Sequence, residues 1–202
     1  MIIAVDGPSA SGKGTIAKAL AKHFGYHYLD TGTLYRMVGL SVQRLGLNPT
    51  HEEDCAAIAA SLDPSTFADA ELRGELVGGY ASKVAMLPKV RAALLHFQRD
   101  FAKREPGAVL DGRDIGTVIC PQAEHKFFIT ASFEARAQRR HLESLGETLA
   151  SIKADIQARD ERDATRSVDP LKPAIDAFVI DTSNLTPVQA LEQALAKIKS
   201  PR

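Results

Sequence analysis

The apolar positions of this chain follow two rhythms that alternate along its length. Residues 2–5 form a short continuous apolar run stopped by Asp6-Gly7-Pro8, the pattern of a strand buried on both faces. From Lys13 to about His23 the period changes: Ile16 and Leu20 stand at i and i+4 on one helical face, and Gly25 ends the run. Residues 26–29 predict a second strand, after which Asp30-Thr31 can cap a helix from Gly32 to about Arg44. Between about 45 and 105 no parallel-strand pattern occurs, and the segment reads as helices broken at Asn48-Pro49, Asp63-Pro64 and Leu87-Pro88. Residues 108–110, 126–130 and 177–180 predict three further strands, with a helix from about Phe133 after the second of them. In the last helix Thr186 is the expected N-cap, Pro187 the first residue and Gln189 the capping-box partner. Val188, Leu191, Leu195 and Ile198 then fall on one face.

Strands that alternate with helices imply an α/β fold, a mostly parallel sheet covered on both sides. At 202 residues there is room for one sizeable core with small appended subdomains. Lys plus Arg (25) equals Asp plus Glu (25), so the overall field does not point to nucleic acid or an acidic membrane. Handling of anions must come from local basic clusters. The two cysteines, Cys55 and Cys120, are far apart, which fits reduced thiols in a cytoplasmic protein better than a disulfide or zinc framework. The N-terminus lacks a basic leader region and reads as a strand, and no apolar stretch is long enough to cross a bilayer.

Chemistry enters at the first strand-to-helix turn. Residues 7–15 read GPSASGKGT: Gly7, Pro8, Ser9, Ala10, Ser11, Gly12, Lys13, Gly14 and Thr15. Glycines in this context let backbone N–H groups wrap phosphate oxygens, the helix N-terminus adds its positive end, and Lys13 brings a mobile charge to the β- and γ-phosphates. The competing reading is a plain Gly-rich turn, against which spacing, lysine and flanking elements all agree. Most such loops place Ser or Thr directly after the lysine; here Gly14 intervenes before Thr15. Mg2+ is therefore expected to be held through phosphates and water, with no direct protein ligand beyond the reach of Thr15 or Asp111, and Thr15 to bond a phosphate. The loop by itself establishes nucleotide binding only.

Asp111 ends the third strand, where an aspartate beside a phosphate loop faces the metal and the γ-phosphate. Gly112, Arg113 and Asp114 follow at the same rim. Arg136, Arg139 and Arg140 share a face of the helix after the fourth strand, and Arg159, Arg162 and Arg166 recur one helix later. The helical hairpin between these groups could close over a phosphate chain, planar guanidiniums clamping the charge that builds on a transferring phosphoryl group. The alternative is a solvated, salt-bridged helix pair, since Glu134, Glu143, Asp160 and Asp163 lie close by. The histidines are scattered with no ligand spacing.

With these residues in hand, the chain resembles the bacterial cytidylate kinases, nucleoside monophosphate kinases of the P-loop class, through nearly its whole length. The resemblance rests on GPSASGKGT, LDTGTLYR (29–36), ASKVAMLPKVRAALL (81–95), LDGRDIGT (110–117) and RDERDATRSVDPLKP (159–173). It implies a three-layer P-loop kinase fold with a five-stranded parallel sheet and a core of residues 1–31, 106–140 and 159–202. A helical acceptor-binding subdomain at about 32–105 and a short lid at about 141–158 would complete it. It implies phosphoryl transfer from MgATP to CMP and dCMP by direct in-line displacement. Lys13, Asp111, Arg136, Arg140 and Arg166 would act in catalysis, Arg166 near the phosphates. Arg36 with Arg113 as its partner would hold the acceptor phosphate, Thr31 and Gly112 would belong to the CMP site, Ser82, Arg91 and Asp114 would read cytosine, and Arg159 and Asp163 would contact the pentose. A cytoplasmic monomer with small-molecule substrates, and neither nucleic acid nor membrane as partner, is the corresponding expectation. Family members often carry a small antiparallel insert in the acceptor domain; here DPSTFADA (63–70) is too short for it and is expected as a loop or remnant hairpin.

Two rivals follow from the same residues. One is another small-molecule kinase, with AMP, UMP or shikimate as acceptor; Gly14 speaks against shikimate, and the Ser82, Arg91, Asp114 set against a purine. The other is a nucleotide-dependent switch, which should carry an NKxD-type guanine motif that this sequence lacks.

Overall fold

A computed structural model describes residues 1–144 and 146–199. Five strands, β1 (Ile2–Asp6), β2 (His27–Asp30), β3 (Ala108–Gly112), β4 (His125–Thr130) and β5 (Phe178–Asp181), form one sheet in the order β2-β3-β1-β4-β5. Every pairing is parallel. The central strands β1 and β3 are apolar up to their last residues because helices cover both faces, as the unbroken runs at their positions predict. Each strand ends its register at the same rim: Asp6 pairs with Gly112, and Asp30 with Asp111. The carboxylates that close the apolar runs are therefore gathered at one edge of the sheet.

Helix α1 (Lys13–Phe24) buries Ile16, Ala17, Leu20 and Ala21 on the sheet and ends at Gly25 in a left-handed conformation, φ 66°. Helix α2 (Thr31–Arg44) has Asp30 at its N-cap position, but Asp30 makes no capping bond. Thr31 instead lies inside the helix and its Oγ1 donates to the Asp111 carbonyl at 2.8 Å, tying α2 to β3. Helices α3 (Glu52–Ala60), α4 (Glu75–Val84) and α5 (Pro88–Ala102) fill the middle of the chain. With α2 they enclose their own apolar cluster, which includes Leu34, Val38, Cys55, Val84 and Leu94. Helix α5 belongs to two layers, since its C-terminal Phe101 and Ala102 pack under β3 with Ile115 and Cys120. The short 63–70 stretch forms a 3-10 turn, Pro64–Thr66, in which Asp63 accepts from the Ser65 amide at 2.9 Å.

Helices α6 (Phe133–Glu143) and α7 (Leu149–Thr165) form the hairpin, joined through Ala137, Ile152 and Ile156. Position 145 of the expected lid and positions 200–202 of the expected core lie outside the described residues. Helix α7 runs unbroken through position 158, so the part of the expected lid from Leu149 onward and the arginine segment 159–165 share one helix. Helix α8 (Pro187–Lys199) begins with the expected capping box: the Thr186 amide donates to Gln189 Oε1 at 2.9 Å and the Gln189 amide to Thr186 Oγ1 at 3.3 Å. Val188 departs from the expected face and is 64% exposed; Ala190 and Ala194 take the buried positions instead. Among the described residues no helix is long and apolar enough to cross a membrane.

Helices α2 and α4 meet backbone to backbone at Gly39, where an added Cβ would lie 2.8 Å from the Ala81 amide nitrogen and 3.1 Å from Tyr80. Backbone cannot step aside as a side-chain tip can. Gly39→Ala is expected to destabilise the fold by about 2 kcal/mol, less a small gain in helix propensity. Urea unfolding would measure it, and an unchanged midpoint would contradict the close packing of the two helices.

Candidate active site

The phosphate loop is shaped by two local requirements. At Gly7 the chain leaves β1 so close to β4 that an added Cβ would fall well inside contact distance of the Ile129 carbonyl oxygen. At Gly12, the N-cap of α1, the backbone is left-handed with φ 87° and offers no capping side chain. Ala10 is also left-handed, φ 59°, an uncommon state for a residue with a Cβ and one held here by the surrounding loop. The first intrahelical bond runs from the Ile16 amide to the Gly12 carbonyl. The preceding amides at the N-terminus of α1 are thus outside the helix's own bonding, the arrangement that suits an anion.

Asp111 stands opposite, with 1% of its surface exposed. Burial pushes its carboxyl up to about 7, Asp30 adds to the rise, and Lys13 and Arg113 oppose it. A Cβ on Gly14 would lie 3.2 Å from Asp111 Oδ2 and 3.8 Å from the Tyr28 hydroxyl. This gives a steric reason for the glycine after Lys13: a serine or threonine side chain would have to share that space with the carboxylate. Lys13 itself is held below the usual lysine range, first by burial and then by Arg113. Asp6, opposite Gly112 on the neighbouring strand, is a residue that sequence reasoning passed over. Its carboxylate accepts from the amides of Ile115 and Gly116, both at 2.8 Å, and so fixes the π-helical turn Ile115–Ile119 that follows Asp114. Burial lifts the Asp6 carboxyl to about 6 despite these two amides.

Two cavities open on either side of the loop. The first is lined by Ser9, Lys13, Asp30, Thr31, Arg36, Ser82, Arg91, Gly112, Arg113, Asp114, Arg159, Asp163 and Arg166, among others. It gathers all the residues expected to hold an acceptor. The second is lined by Ala10 to Ile16, except Ser11, together with Lys18, Tyr28, Asp30, Arg139, Glu143, Thr182, Leu185, Thr186, Pro187 and Ala190. Lys13 and Asp30 belong to both cavities, so the two meet at the lysine.

At the near end of the first cavity Arg113 Nε donates to Asp163 Oδ2 at 2.6 Å and Nη2 reaches Ser9 Oγ at 3.5 Å. Burial works to raise the Asp163 carboxyl, but its bond to Arg113 outweighs this and holds it below the usual range. Arg36 Nη1 donates to the Leu72 carbonyl at 2.9 Å. Arg159 and Arg36 converge over Gly78, whose missing side chain leaves room for them. At the far end Arg162 Nε donates to Ser82 Oγ at 2.8 Å, linking α7 to α4. Arg91 Nη2 donates to Asp114 Oδ2, and burial raises the Asp114 carboxyl against the pull of Arg91 and Arg166.

The arginine faces divide as the sequence could not foretell. Arg136 forms a two-point pair with Asp160, at 3.0 and 2.7 Å, and Nη1 lies 3.3 Å from the Ser9 carbonyl of the phosphate loop. Arg139 turns the other way, donating to Thr182 Oγ1 at 2.9 Å, while Thr182 Oγ1 also sits 2.8 Å from the Ser11 carbonyl. Arg140 pairs with Glu143 at 3.7 Å and lines a smaller opening with Ser9 and Ala10. Arg166 does not lie with the loop. Helix α7 ends at Thr165, and Arg166 leaves it with φ −58° and ψ 136°, its Nη2 3.6 Å from Asp114 Oδ1. It therefore stands beside Asp114 in the first cavity. The residues that sequence reasoning missed as site residues, Asp6, Tyr28, Asp30, Thr182 and Asp169, share a weak signal at best. A carboxylate closing an apolar strand marks Asp6 and Asp30, and nothing local marks the others.

The sequence matches the family described as Cytidylate kinase over residues 3–200. A cytidylate kinase of Rhodopseudomonas palustris strain BisA53 is 55% identical over 206 positions, covering 100% of this chain and 98% of that protein. Another, from Paramagnetospirillum magneticum AMB-1, is 51% identical and covers 100% of this chain and 99% of its own. Among solved structures, an uncharacterized protein from Eubacterium ventriosum ATCC 27560 superposes with a TM-score of 0.60 at 16% identity, over 100% of this chain and 99% of that one. A gluconokinase from Sinorhizobium meliloti 1021 gives 0.53 at 18% identity, over 96% and 89%. Such low identities speak to the fold alone.

Proposed function

This chain belongs to the cytidylate kinase family, and from that premise we propose that it moves the γ-phosphoryl group of ATP directly onto CMP, and onto dCMP as well, in one in-line step. The observation that carries the reading is the pair of cavities meeting at Lys13, one walled by the phosphate loop and the other by the acceptor residues. A switch needs one nucleotide cavity; transfer needs two that share a reacting centre. Both are built within a single chain, so the reading requires no second subunit.

The amides of residues 12–15 and Lys13 bind and orient the β- and γ-phosphates. The donor base lies against Arg139, Leu185 and Pro187. Arg36 and Arg113 hold the acceptor phosphate, and Arg159 and Asp163 contact the pentose, Asp163 accepting from its hydroxyls. Arg136 and Arg140 supply charge along the edge of the loop as the phosphoryl group moves. Arg166 sits too close to Asp114 to join them and serves the base end.

Asp114 accepts from the N4 amino group of cytosine while Arg91 and Ser82 donate to N3 and O2. Ser82 Oγ already accepts from Arg162, which leaves its own proton to be donated. Uracil would set an oxygen against the Asp114 carboxylate, two buried acceptors face to face, a cost of about 1–3 kcal/mol. Mg2+ fits the donor set beside the loop, an Asp111 carboxylate and the exposed Thr15 hydroxyl being hard oxygen groups. Bound with ATP, it would supply charge neutralisation at the phosphates.

Turnover of CMP, dCMP, UMP, AMP and shikimate with ATP tests the reading. CMP and dCMP are expected to be preferred; equal or better use of UMP or AMP would remove the cytosine assignment, and hydrolysis that needs no acceptor would favour a switch. A more local prediction follows from Gly78. Gly78→Ala places a methyl against the Arg159 guanidinium, a flexible tip that can move, so the fold should be unaffected. The KM for CMP should rise about tenfold while the KM for ATP stays unchanged. Initial-rate kinetics with each substrate varied would show this, and a parallel rise in both constants would speak against it.

A further inference from the structure

The base end of the acceptor cavity contains a ring of charge in which one member has no assigned part. Arg91 and Arg166 are two buried guanidiniums, 5% and 3% exposed, drawn to the one carboxylate of Asp114. Asp169, in the chain turn that follows Arg166, meets both. Its Oδ2 accepts from Arg91 Nε at 3.0 Å, and its backbone carbonyl accepts from Arg166 Nε. Each arginine is thus held at its Nε edge by Asp169 and faces Asp114 with Nη2. Arg91 Nη1 is fixed in addition by the Ala85 carbonyl at 3.4 Å. Arg166 Nη2 is buried with no hydrogen-bond partner, at the wall of the cavity.

Two geometric facts show how Asp169 is itself held. It is left-handed, φ 52°, which is what aims its carbonyl at Arg166 while its side chain turns to Arg91. Two residues later the Leu171 amide donates to the Asp163 carbonyl at 2.8 Å, docking the turn back on α7. From this arrangement we infer that Asp169 is a positioning residue for acceptor specificity, acting through Arg91 and Arg166. The inference rests on the acceptor reading above.

The physical reason is charge balance and angle. With Asp169 the ring has two cations and two anions. Without it, two guanidiniums share one carboxylate in a site of low exposure, and both rotate onto Asp114 to recover the lost pairing. Asp114 then has fewer lone pairs to offer an amino group, and the arginines no longer aim at the acceptor atoms of the base. Preference for an amino-bearing over an oxo-bearing pyrimidine should fall, with the donor cavity untouched.

Asp169→Asn and Asp169→Gly test this, because Asn and Gly both tolerate the left-handed backbone. Asn keeps the turn and removes the charge; Gly keeps the turn and removes the side chain. In both, the kcat/KM ratio for CMP over UMP is expected to fall about tenfold, through a higher KM for CMP, with the KM for ATP unchanged. Asp169→Ala strains the turn as well and should lose more than Asp169→Gly. An unchanged CMP to UMP ratio in both Asn and Gly variants overturns the inference, as does an equal rise in the constants for CMP and ATP, which would mark a merely structural role. The wild-type protein is measured alongside. If it fails to prefer CMP, the acceptor reading falls and takes this inference with it; if it prefers CMP and the variants match it, only the positioning role is lost.

Discussion

Replacing Lys13 by alanine should lower kcat for phosphoryl transfer about a thousandfold while leaving the fold intact. Of the two residues that line both cavities, Lys13 and Asp30, Lys13 is the cation, so under the proposed transfer its charge lies where a group passing from one cavity to the other must travel. Burial and the neighbouring Arg113 make that charge costly until an anion joins it. An incoming phosphate relieves the cost, and the relief is largest where phosphoryl charge is most spread. The loss should therefore fall mainly on kcat, with a smaller rise in KM for ATP. The helical positions of α1 do not depend on the lysine, since Ile16, Ala17, Leu20 and Ala21 hold it to the sheet. A coupled assay of ADP release with thermal unfolding as control would measure both. Retention of more than about a tenth of wild-type kcat would contradict the placement of the reaction at this residue.

Asp111→Asn should move activity and stability in opposite directions. The carboxyl is raised from 3.8 to about 7, with burial as the first cause and Asp30 as the second. A carboxyl that is harder to ionise in the folded than in the unfolded chain costs stability as pH rises between those values, because the folded state binds more protons there. Asparagine removes the charge but keeps an acceptor for Tyr28, which donates to Asp111 Oδ1 at 3.3 Å. The variant should be more stable than the wild type by roughly 2–4 kcal/mol above about pH 8, and equally stable near about pH 4, where both carry a neutral group in the folded state. Activity should fall about a hundredfold, since the carboxylate that faces the loop and Lys13 is gone. Urea unfolding across this range, together with initial rates, tests the pair. A variant that is less stable at high pH would show that the ionised carboxylate is a net support for the fold, its attraction to Lys13 and Arg113 outweighing burial.

The same opposition runs through the rest of the site. Asp6 and Asp111 both end apolar strands, both are raised by burial, and both are kept where the sheet gathers its C-terminal ends. A chain folded for stability alone would have little reason to put two carboxylates there. The acceptor cavity repeats the pattern with Arg91, Asp114 and Arg166, all nearly inaccessible to water. Charge held in a dry cleft before the substrate arrives is the arrangement that electrostatic catalysis and base discrimination both require.

Much of this was legible along the chain because the signals are local. The apolar runs at 2–5 and 108–110, the helix period around Ile16 and Leu20, and the Thr186 to Gln189 capping box each lie within one or two turns of backbone. GPSASGKGT is local in the same way, since its glycines answer to backbone angles and a close neighbour at the strand end. Helix α8 shows where local reading stops: its period is visible in the sequence, but Val188 is left exposed and Ala190 and Ala194 are buried instead. Thr31 is similar, a residue with the chemistry of a cap that the β2–β3 pairing turns into a bond to the Asp111 carbonyl.

Sequence by itself thus determined the strands and helices, the phosphate loop and the list of residues able to handle phosphate and base. Tertiary structure decided which of them meet. Asp6 clamps a turn 109 residues away, Thr182 braces the loop across 171, and Ser82 and Arg162 join across 80. Arg166 stands beside Asp114 because its helix stops one residue before it, and Asp169 is brought in by the turn that follows. The physical reason is that backbone propensity and hydrophobic period act over a few residues, whereas these meetings follow from the sheet order β2-β3-β1-β4-β5 and the contact of α4 with α7.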